Sequence, residues 1–358
     1  THTVSEWGDT FRPAYLEVGK IAKALGNPLI TAFTATASEH IIERIREIIF
    51  AGEAPRIVAG NPDRPNIRYR IIPVLSKEHE IERLARTEKR PAIIFCRSRD
   101  GAELTARFLR IRLHEDQIKF YHAGLSREEK KAVEEWFFSS DTGILCATCA
   151  YGMGVDKANI RTVIHRDVPP SVESYLQESG RGGRDGLDTE AILLHSREDA
   201  EHGKKLQEEV ARKRYEAVLG ITQRNDLCRR TFLLSLLKAA PEACFGCDVC
   251  DGTVVSVPPG YREIVGMVKR FPRRYGEKEL AIILSESRGS SMSQIERRFC
   301  SQEKKLRGWS EEDVEAAISE LEHQSVIRIL KRGPFSGRSV LGFEKYRYQK
   351  DRRGFDVK

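Results

Sequence analysis

The sequence predicts an α/β protein in which a parallel-sheet lobe is followed by a helical metal-binding module and a small domain of helices and strands. Three observations lead to this prediction. Short apolar runs alternate with helical patterns between residues 91 and 195, four cysteines gather between residues 228 and 250, and a last amphipathic helix precedes two β-type runs. Alternation of strand and helix is typical of a mostly parallel sheet with helices on both faces.

The predicted strands of the lobe are short and rich in apolar residues. They lie at 91–96, 118–121, 143–147, 161–165 and 190–195. Residues 100–113 have a helical apolar periodicity, and Ser126 with Glu129 forms a capping box that starts another helix. Ligands of such sheets bind at the carboxyl ends of the strands, where we expect the site of this lobe.

The composition is that of an ordinary globular protein with a mild basic excess. In 358 residues, 60 Lys and Arg stand against 53 Asp and Glu, which gives a formal net charge of +7. This excess permits a polyanionic partner without requiring one. No apolar run approaches the length of a membrane span, so a membrane partner is not expected. Eight cysteines in so long a chain do not make a disulfide scaffold, which favours a reducing compartment.

The most distinctive stretch runs from Gln177 to Gly186 and reads QESGRGGRDG. Its two arginines, Arg181 and Arg184, stand three apart among four glycines. Glycine lets a backbone approach a ligand closely, and arginine offers a fixed fork of donors that suits phosphate oxygens. The alternative interpretation is a tight glycine-rich loop with two solvated arginines.

Two further blocks accompany this stretch. Residues 147–157 read ATCAYGMGVDK, and residues 163–169 read VIHRDVP. Together the three blocks resemble the last motifs of a superfamily 2 helicase, most closely those of the RecQ family of ATP-dependent DNA helicases. Residues 28–37, PLITAFTATA, resemble motif III of the same superfamily, although a Thr-rich strand end is the simpler interpretation of that run alone.

The resemblance implies a RecA-like lobe whose glycine-rich stretch reaches across a cleft to ATP held by a preceding lobe. Arg184 would be the arginine finger, and Arg181 would assist it at the phosphates. Gln177 would couple the nucleotide state to the lobe interface. The other positions that the resemblance assigns to the nucleotide site are Asp156, Gly154, Gly180, Gly183 and His2, the last of which would end the Asp-Glu-x-His motif that holds Mg²⁺.

The resemblance also implies that the chain lacks most of the first lobe. The first residue is Thr1, and no Gly-x-x-x-x-Gly-Lys-Ser/Thr run occurs in the 358 residues. Phosphoryl transfer needs phosphate-cradling amides, a lysine and carboxylate-held magnesium. We therefore expect this chain to be part of a longer enzyme and not to hydrolyse ATP by itself.

A second group of residues is assigned to DNA by the resemblance. The polar and aromatic run after His2 would be a loop that couples DNA binding to ATP hydrolysis, whereas the simpler interpretation is a surface loop with its aromatics folded onto the core. The expected contacts are sequence-independent phosphate contacts. The residues of this group are Trp7, Phe11, Arg12, Arg97, Ser98, Arg99, His122 and Thr148.

The cysteines form the clearest signal that does not depend on a family. Cys228, Cys244, Cys247 and Cys250 have the spacing C-x15-C-x2-C-x2-C. Four thiolates can close a tetrahedral Zn²⁺ shell, so we predict a structural zinc site, with disulfides as the alternative. Cys146-x-x-Cys149 has redox spacing, but we interpret that pair as core packing.

The last part of the chain has the pattern of a winged helix. Helical patterns at 260–271 and 276–286 precede a helix that starts at Ser310, and strands are predicted at 326–330 and 339–343. A wing of two strands behind helices is used widely on DNA. Basic residues gather here, which suits phosphate contacts or a solvated surface. The residues we assign to DNA in this part are Arg332, Arg338 and Phe335 at the tip of the wing. The resemblance to the RecQ family suggests Phe335 as a strand-separating wedge.

The resemblance therefore implies part of an ATP-dependent 3′-to-5′ DNA helicase acting in DNA repair, recombination and replication. A non-catalytic zinc and winged-helix DNA-binding protein is the alternative, and an RNA helicase is disfavoured by the joined zinc and winged-helix modules. The resemblance implies single-stranded and forked DNA, single-stranded DNA-binding proteins and repair proteins as partners, in a bacterial cytoplasm at the nucleoid. The predicted domains are the remnant of the first lobe at 1–55, the second lobe at 56–198, the zinc module at 199–253, the winged helix at 258–346 and a basic tail at 347–358.

Overall fold

A six-stranded parallel sheet forms the centre of the structure. The computed structural model describes residues 13–33, 39–58, 60, 63–152, 157–237, 239, 243–285 and 306–342. The strand order is β1-β6-β5-β2-β4-β3, and all five pairings are parallel. The strands are β1 (Ile67–Pro73), β2 (Ala92–Phe95), β3 (Ile118–Tyr121), β4 (Ile144–Ala147), β5 (Thr162–His165) and β6 (Thr189–His195). The five predicted strands are confirmed, and β1 is an additional edge strand.

Helices connect these strands and continue beyond them. A 3-10 helix (Pro13–Glu17) precedes the first α-helix of the described residues. The α-helices up to the cysteines are α1 (Val18–Ala24), α2 (Glu39–Ile49), α3 (Lys77–Thr87), α4 (Arg99–Leu113), α5 (Arg127–Ser139), α6 (Val172–Ser179), α7 (Arg197–Lys205), α8 (Glu209–Thr222) and α9 (Arg229–Leu236). The predicted capping box is present, because Glu129 N–H donates to Ser126 Oγ at 3.2 Å and Ser126 N–H donates to Glu129 Oε2 at 2.8 Å. Described helices long and apolar enough to cross a membrane are absent.

The sheet separates two apolar cores because successive strand residues point to opposite faces. Ile94 packs with α3 and α4 on one face, and Ile93 packs with Phe137 of α5 on the other. A third core forms near the β1 edge, where Ile67 and Tyr69 meet α8 and α9. In α9 the buried residues are Arg229, Arg230, Leu233 and Leu234, whereas Leu236 is 37% exposed.

The loop that holds the last three cysteines extends the sheet at its β1 edge. Tyr69 forms an isolated parallel bridge with Cys247, and Asp248 N–H donates to Tyr69 O at 3.0 Å. Backbone groups at the edge of a sheet are open to such pairing. The cysteine loop is therefore joined directly to the lobe.

Three helices and a two-stranded ribbon form the last described part, and they pack around one apolar core. They are α10 (Tyr261–Arg270), α11 (Glu277–Leu284), α12 (Glu311–His323), β7 (Ile327–Ile329) and β8 (Ser339–Leu341), and β7 and β8 are antiparallel. This part contacts the lobe at α3. The ring of Trp309 stacks on that of His79 at 4.2 Å between centroids, and Ser76 Oγ donates to Asp313 Oδ1 at 3.0 Å.

Candidate functional site

The glycine-rich stretch forms a tight turn between α6 and β6. Gly180 N–H donates to Leu176 O at 2.8 Å, and Gly183 N–H donates to Ile160 O at 2.9 Å. Gly183 has a φ of +55°, and a Cβ there would lie 2.4 Å from the side-chain amide of Asn66. At Gly183 both the conformation and the surroundings disfavour larger residues, whereas at Gly180 the obstacle is Leu176 O, which would lie 2.9 Å from a Cβ. The expected role of Gly180 and Gly183 at a nucleotide stays a prediction, and these two amides are already bonded.

The turn lies at the amino ends of the neighbouring strands and not at their carboxyl ends, where it was expected. Asp185 N–H donates to Ala158 O at 3.3 Å, so the turn meets the segment that enters β5. Since α6 returns antiparallel to the strands, the residues that follow it stand at the amino end of β6. The expectation that this stretch lies at the carboxyl ends of the strands was therefore wrong.

The two arginines of the turn have different surroundings. Arg181 is 7% exposed, and its Nη1 donates to Gly152 O at 3.1 Å. Burial and the nearby charge of Arg184 lower the pKa of Arg181. A Cβ at Gly152 would lie 1.8 Å from the guanidinium of Arg181, so glycine is required there. Arg184 is exposed, as is Gln177 on α6.

Asp185, the acidic residue of the turn, is bound to Arg161. The carboxylate accepts hydrogen bonds from both Nη atoms of the Arg161 guanidinium, and Nη1 lies 3.0 Å from Oδ1. These hydrogen bonds lower the pKa of Asp185 to about 2. Asp185 therefore stays ionised at neutral pH and its charge stands next to that of Arg184.

Two residues before β1 hold the turn, and sequence reasoning missed both. Arg64 donates to the main-chain oxygens of Gly180, Gly182 and Gly183 at 3.2, 3.3 and 3.0 Å. Asn66 Nδ2 donates to Gly183 O and to Leu187 O, each at 2.8 Å. The sequence offers only a proline-punctuated crossing at this point, with nothing local that indicates contacts to a turn more than a hundred residues later.

A second group of predicted residues gathers at the carboxyl ends of β2, β3 and β4. Thr148 N–H donates to Tyr121 O at 3.1 Å, which places Thr148 beside His122. The ring of His122 lies 2.7 Å from Glu103 Oε1. The guanidinium of Arg99 approaches the same place, since a Cβ at Gly124 would be 3.4 Å from Arg99 Nη1 and 3.2 Å from His122 Nδ1.

The neighbouring residues Arg97 and Ser98 have contacts of their own. Ser98 Oγ accepts from Gly101 N–H at 3.0 Å and caps α4. Arg97 Nη2 donates to Asp199 Oδ1 at 2.6 Å, and Lys77 Nζ lies 2.8 Å from Asp167 and 3.0 Å from Asp199. Burial would raise the pKa of Asp167, but the charges of Lys77 and Arg166 outweigh it and hold the pKa well below its usual range. This buried charge network was not foreseen from the sequence.

The four predicted cysteines come together. Their Sγ atoms all lie within 4.8 Å of one another, and those of Cys228 and Cys247 are 3.9 Å apart. A tetrahedral zinc–thiolate shell with Zn–S near 2.3 Å requires S···S distances of about 3.8 Å, so the donor set fits Zn²⁺. The sulfurs are too far apart for the disulfide alternative, since a disulfide bond is about 2 Å long.

Main-chain amides support these sulfurs. Thr231 N–H donates to Cys228 Sγ at 3.5 Å, and Cys250 N–H donates to Cys247 Sγ at 3.4 Å. Burial opposes ionisation of Cys228, but the hydrogen bonds of Thr231 prevail and lower its pKa to about 7. The shift at Cys244 is the opposite, since burial raises its pKa, so the fit to a metal ion depends on the distances between the sulfurs. The other pair, Cys146 and Cys149, is divided: Cys146 is in the core as predicted, but Cys149 is exposed.

Two buried arginines directly follow Cys228, the first cysteine of the cluster. Arg229 is 1% exposed and Arg230 is fully buried. Arg229 Nε donates to Asp248 Oδ1 at 2.9 Å, and Asp248 Oδ2 accepts from Ile71 N–H of β1 at 3.0 Å. Buried charges occur only when they are paired and hydrogen-bonded. The carboxylate of this buried ion pair therefore joins the cysteine region to the sheet, in addition to the backbone contacts.

The turn between β7 and β8 carries the predicted wing residues. Gly337 N–H donates to Leu330 O at 2.7 Å, which closes the turn. Phe335 is 45% exposed at its tip, with the guanidinium of Arg273 at 5.5 Å from its ring. Arg332 is exposed, whereas Arg338 is ion-paired with Glu279 of α11.

Several predicted positions lie outside the described residues. They are His2, Trp7, Phe11, Arg12, Gly154, Asp156, part of the 28–37 block and the basic tail.

Comparison with known proteins gives a consistent result. Residues 76–186 match the model of the helicase conserved C-terminal domain. The ATP-dependent DNA helicase RecQ of Pasteurella multocida is 31% identical over 310 residues, which cover 82% of this chain and 47% of that protein. The RecQ helicase of Bacillus subtilis is 28% identical over 305 residues, covering 81% of this chain and 51% of the relative. The chain thus spans about half the length of these curated relatives.

Among solved structures, S. cerevisiae Dbp5 bound to RNA and ADP BeF3 has a TM-score of 0.41 and 16% identity, over 55% of this chain and 49% of that one. These values are low, so the assignment depends on the sequence matches. Those matches run through the α/β lobe that carries the glycine-rich turn, and the lobe is joined to a cysteine cluster that fits zinc. The chain belongs to the RecQ family of superfamily 2 helicases.

Proposed function

We propose that this chain supplies the arginine-finger lobe and the DNA-binding modules of an ATP-dependent 3′-to-5′ DNA helicase. The observation that carries the proposal is the exposed Arg184 on a turn whose backbone is held from several sides. The related RecQ proteins are named ATP-dependent DNA helicases, which supports the choice of reaction. The site of ATP and Mg²⁺ would be completed by a preceding lobe.

In this proposal Arg184 acts on the phosphates of ATP. Its guanidinium would donate to the oxygens of the transferring phosphate, where negative charge is spread in the transition state. Arg181 would support this indirectly, because its buried guanidinium donates a hydrogen bond to Gly152 O within the 147–157 block. Gln177 is exposed on α6 and would sense the bound nucleotide at the lobe interface.

DNA would pass over the carboxyl ends of β2, β3 and β4. Arg99, His122 and Thr148 converge there, and their donors suit phosphate oxygens in a path that reads no sequence. Arg97 and Ser98 would shape this surface through the ion pair with Asp199 and the cap of α4. The aromatic loop with Trp7, Phe11 and Arg12 would couple this path to the nucleotide.

The remaining modules would bind metal and duplex. The four cysteines would hold Zn²⁺ in a closed structural site that does no chemistry. The part from α10 to β8 would act as a winged helix, with Arg332 and Arg338 at phosphates and Phe335 as a wedge between strands. The domain bounds given above stay predictions, as do roles in repair, recombination and replication, and partnership with single-stranded DNA-binding and repair proteins.

Strand separation by the full-length protein tests this proposal. A duplex with a 3′ single-stranded tail should be unwound with ATP, whereas a duplex with a 5′ tail should remain paired. Binding of either DNA without ATP-dependent unwinding would instead favour the non-catalytic DNA-binding protein. Unwinding of only the 5′-tailed duplex would overturn the proposed direction.

A further inference from the structure

The turn that bears Arg184 is held by side chains from outside it. Arg64 and Asn66 together donate to the carbonyl oxygens of Gly180, Gly182, Gly183 and Leu187. In return, Thr189 N–H donates to Asn66 O at 2.9 Å. The path of the backbone on both sides of Arg184 is therefore set by two residues that precede β1.

The chemistry of Arg64 matters for this contact. A guanidinium is planar and presents several donors in a fixed fork, whereas an ammonium is a single compact point of charge. Arg64 uses Nη1 for Gly180 and Nη2 for Gly182 and Gly183. Lysine at this position would keep the charge, but its single nitrogen could not reproduce contacts that Arg64 makes from two separate nitrogens.

Arg230 in turn holds the segment that carries Arg64. Its guanidinium pairs with the carboxylate of Asp63 and donates to the main-chain oxygens of Arg64 at 3.0 Å, Pro65 at 3.4 Å and Ile67. It is fully buried, so these partners replace its water. Residues 63–67 are thereby fixed by one side chain from α9.

The same arginine belongs to the cysteine cluster by position. It follows Cys228, the N-cap of α9, by two residues. Its guanidinium lies 5.9 Å from the ring of Phe245 and 5.4 Å from that of Tyr69. Phe245 stands directly after Cys244, and Tyr69 is bridged to Cys247. The backbone that presents the four sulfurs therefore also sets the position of Arg230.

We propose that Arg64 and Asn66 are positioning residues for the turn that bears Arg184, and that Arg230 makes this positioning depend on the cysteine cluster. A metal ion bound at the cluster would then order the turn through Arg230, the 63–67 segment and Arg64. The catalytic consequence rests on the proposed function of Arg184 as an arginine finger. The ordering of the turn by Arg64, Asn66 and Arg230 does not depend on that function.

Amide hydrogen exchange on the 358-residue chain tests the structural part. In Arg64→Lys, peptides that cover 180–187 should exchange roughly tenfold faster, because local opening becomes easier when the clamp is lost. Peptides from β2 and β4 should be unchanged. Arg70→Lys is the matched control, since Arg70 lies on β1 but pairs with Glu88 and Glu190 and does not touch the turn.

Metal removal tests the link to the cluster. Treatment with a zinc chelator should speed exchange at 63–67 and at 180–187, and restoring Zn²⁺ should reverse both effects. In Arg230→Lys the chelator should have little further effect on 180–187. If 180–187 exchanged at the same rate with and without Zn²⁺, the proposed link would be overturned, even where Arg230→Lys itself failed to fold.

ATP hydrolysis by the full-length protein tests the catalytic part. Arg64→Lys should lower kcat about 10- to 100-fold with a change in KM for ATP of less than about threefold, because the finger acts in the transition state. In an Arg184→Ala background, Arg64→Lys should cost almost nothing more. A full additional loss in that background would mean general damage and would contradict the positioning role.

The two proposals can fail separately. Should Arg184→Ala leave kcat unchanged while exchange at 180–187 still depends on Arg64 and Zn²⁺, the finger assignment fails and the clamp stands. Should Arg184→Ala abolish turnover while Arg64→Lys changes neither exchange nor kcat, the finger stands and the clamp is overturned.

Discussion

Arg229 and Asp248 form an ion pair of 2.9 Å with both side chains almost completely buried. Arg229 directly follows Cys228, and Asp248 directly follows Cys247. Asp248 also accepts from Ile71 N–H of β1, and Arg229 Nη1 donates to Ile221 O at 2.7 Å. One pair therefore connects both halves of the cysteine cluster, the end of α8 and the sheet.

Breaking this pair should strongly destabilise the protein. Removing one partner leaves the other charge buried without compensation, which typically costs about 3–5 kcal/mol. We expect Arg229→Met to lower the free energy of unfolding by this amount in urea titrations. Arg212→Met is the control, because the Arg212–Glu216 pair is exposed and should contribute no more than about 1 kcal/mol. Equal losses in the two variants would contradict the role of the buried pair.

The cysteine cluster should bind one zinc ion per chain. Elemental analysis of the purified protein should find about one equivalent of Zn²⁺. Cys247→Ser should lose it, because Cys247 is the fully buried member of the cluster and a closed structural shell needs all four thiolates. Cys149→Ser should retain the metal, because Cys149 is exposed outside the cluster. Retention of a full equivalent by Cys247→Ser would show that the metal is bound elsewhere.

The Asp167 carboxylate should make stability depend on acid. Its pKa in the folded protein is depressed by Lys77 and Arg166, whereas in the unfolded chain it should be near 3.9. The ionised group therefore stabilises the fold above about pH 4, and this contribution is lost as the pH falls below that value toward the folded pKa. In urea titrations, the advantage of wild type over Asp167→Asn should be large at pH 5 and smaller at pH 3. A difference that is the same at both pH values would contradict this account.

The stacking of His79 on Trp309 should hold the last helical part against the lobe. The rings are 4.2 Å apart with an angle of 30° between their planes. Losing an aromatic contact of about 0.5–1.5 kcal/mol should raise the undocked population several-fold in His79→Ala. Small-angle scattering should then show a larger radius of gyration. Arg83→Ala on the same helix, which removes an ion pair with Glu80, should leave the radius unchanged, and an equal increase in both variants would argue against the stacking.

Much of the lobe could be predicted because its signals are local. The buried strands are short apolar runs, and the capping box at Ser126 marks a helix start in a few residues, as the one at Ser310 does in the last part of the chain. Strand β1 was missed although Ile67, Tyr69 and Ile71 alternate with arginines. Arg68 pairs with Glu190 and Asp251, and Arg70 pairs with Glu88 and Glu190. Such an edge strand, in which every second residue is charged, has a composition similar to that of a loop.

The candidate site could be predicted only where residue type and spacing suffice. Four cysteines at metal-ligand spacing indicate their chemistry directly. Arg64, Arg229 and Arg230 could not be distinguished from surface arginines, because their burial depends on contacts between distant segments. The prediction that the glycine-rich turn lies at the carboxyl ends of the strands was wrong. The position of the turn depends on the return direction of α6 and not on the motif.

We propose that Arg184 completes a nucleotide site in the assembled enzyme, and DNA-stimulated ATP hydrolysis by the full-length protein tests this role most directly. Arg184→Ala should lower kcat about 10³-fold or more while DNA binding is kept, as expected for an arginine finger. Arg107→Ala, an exposed arginine on α4, should hydrolyse ATP like wild type. Turnover by Arg184→Ala at the wild-type rate would contradict the account.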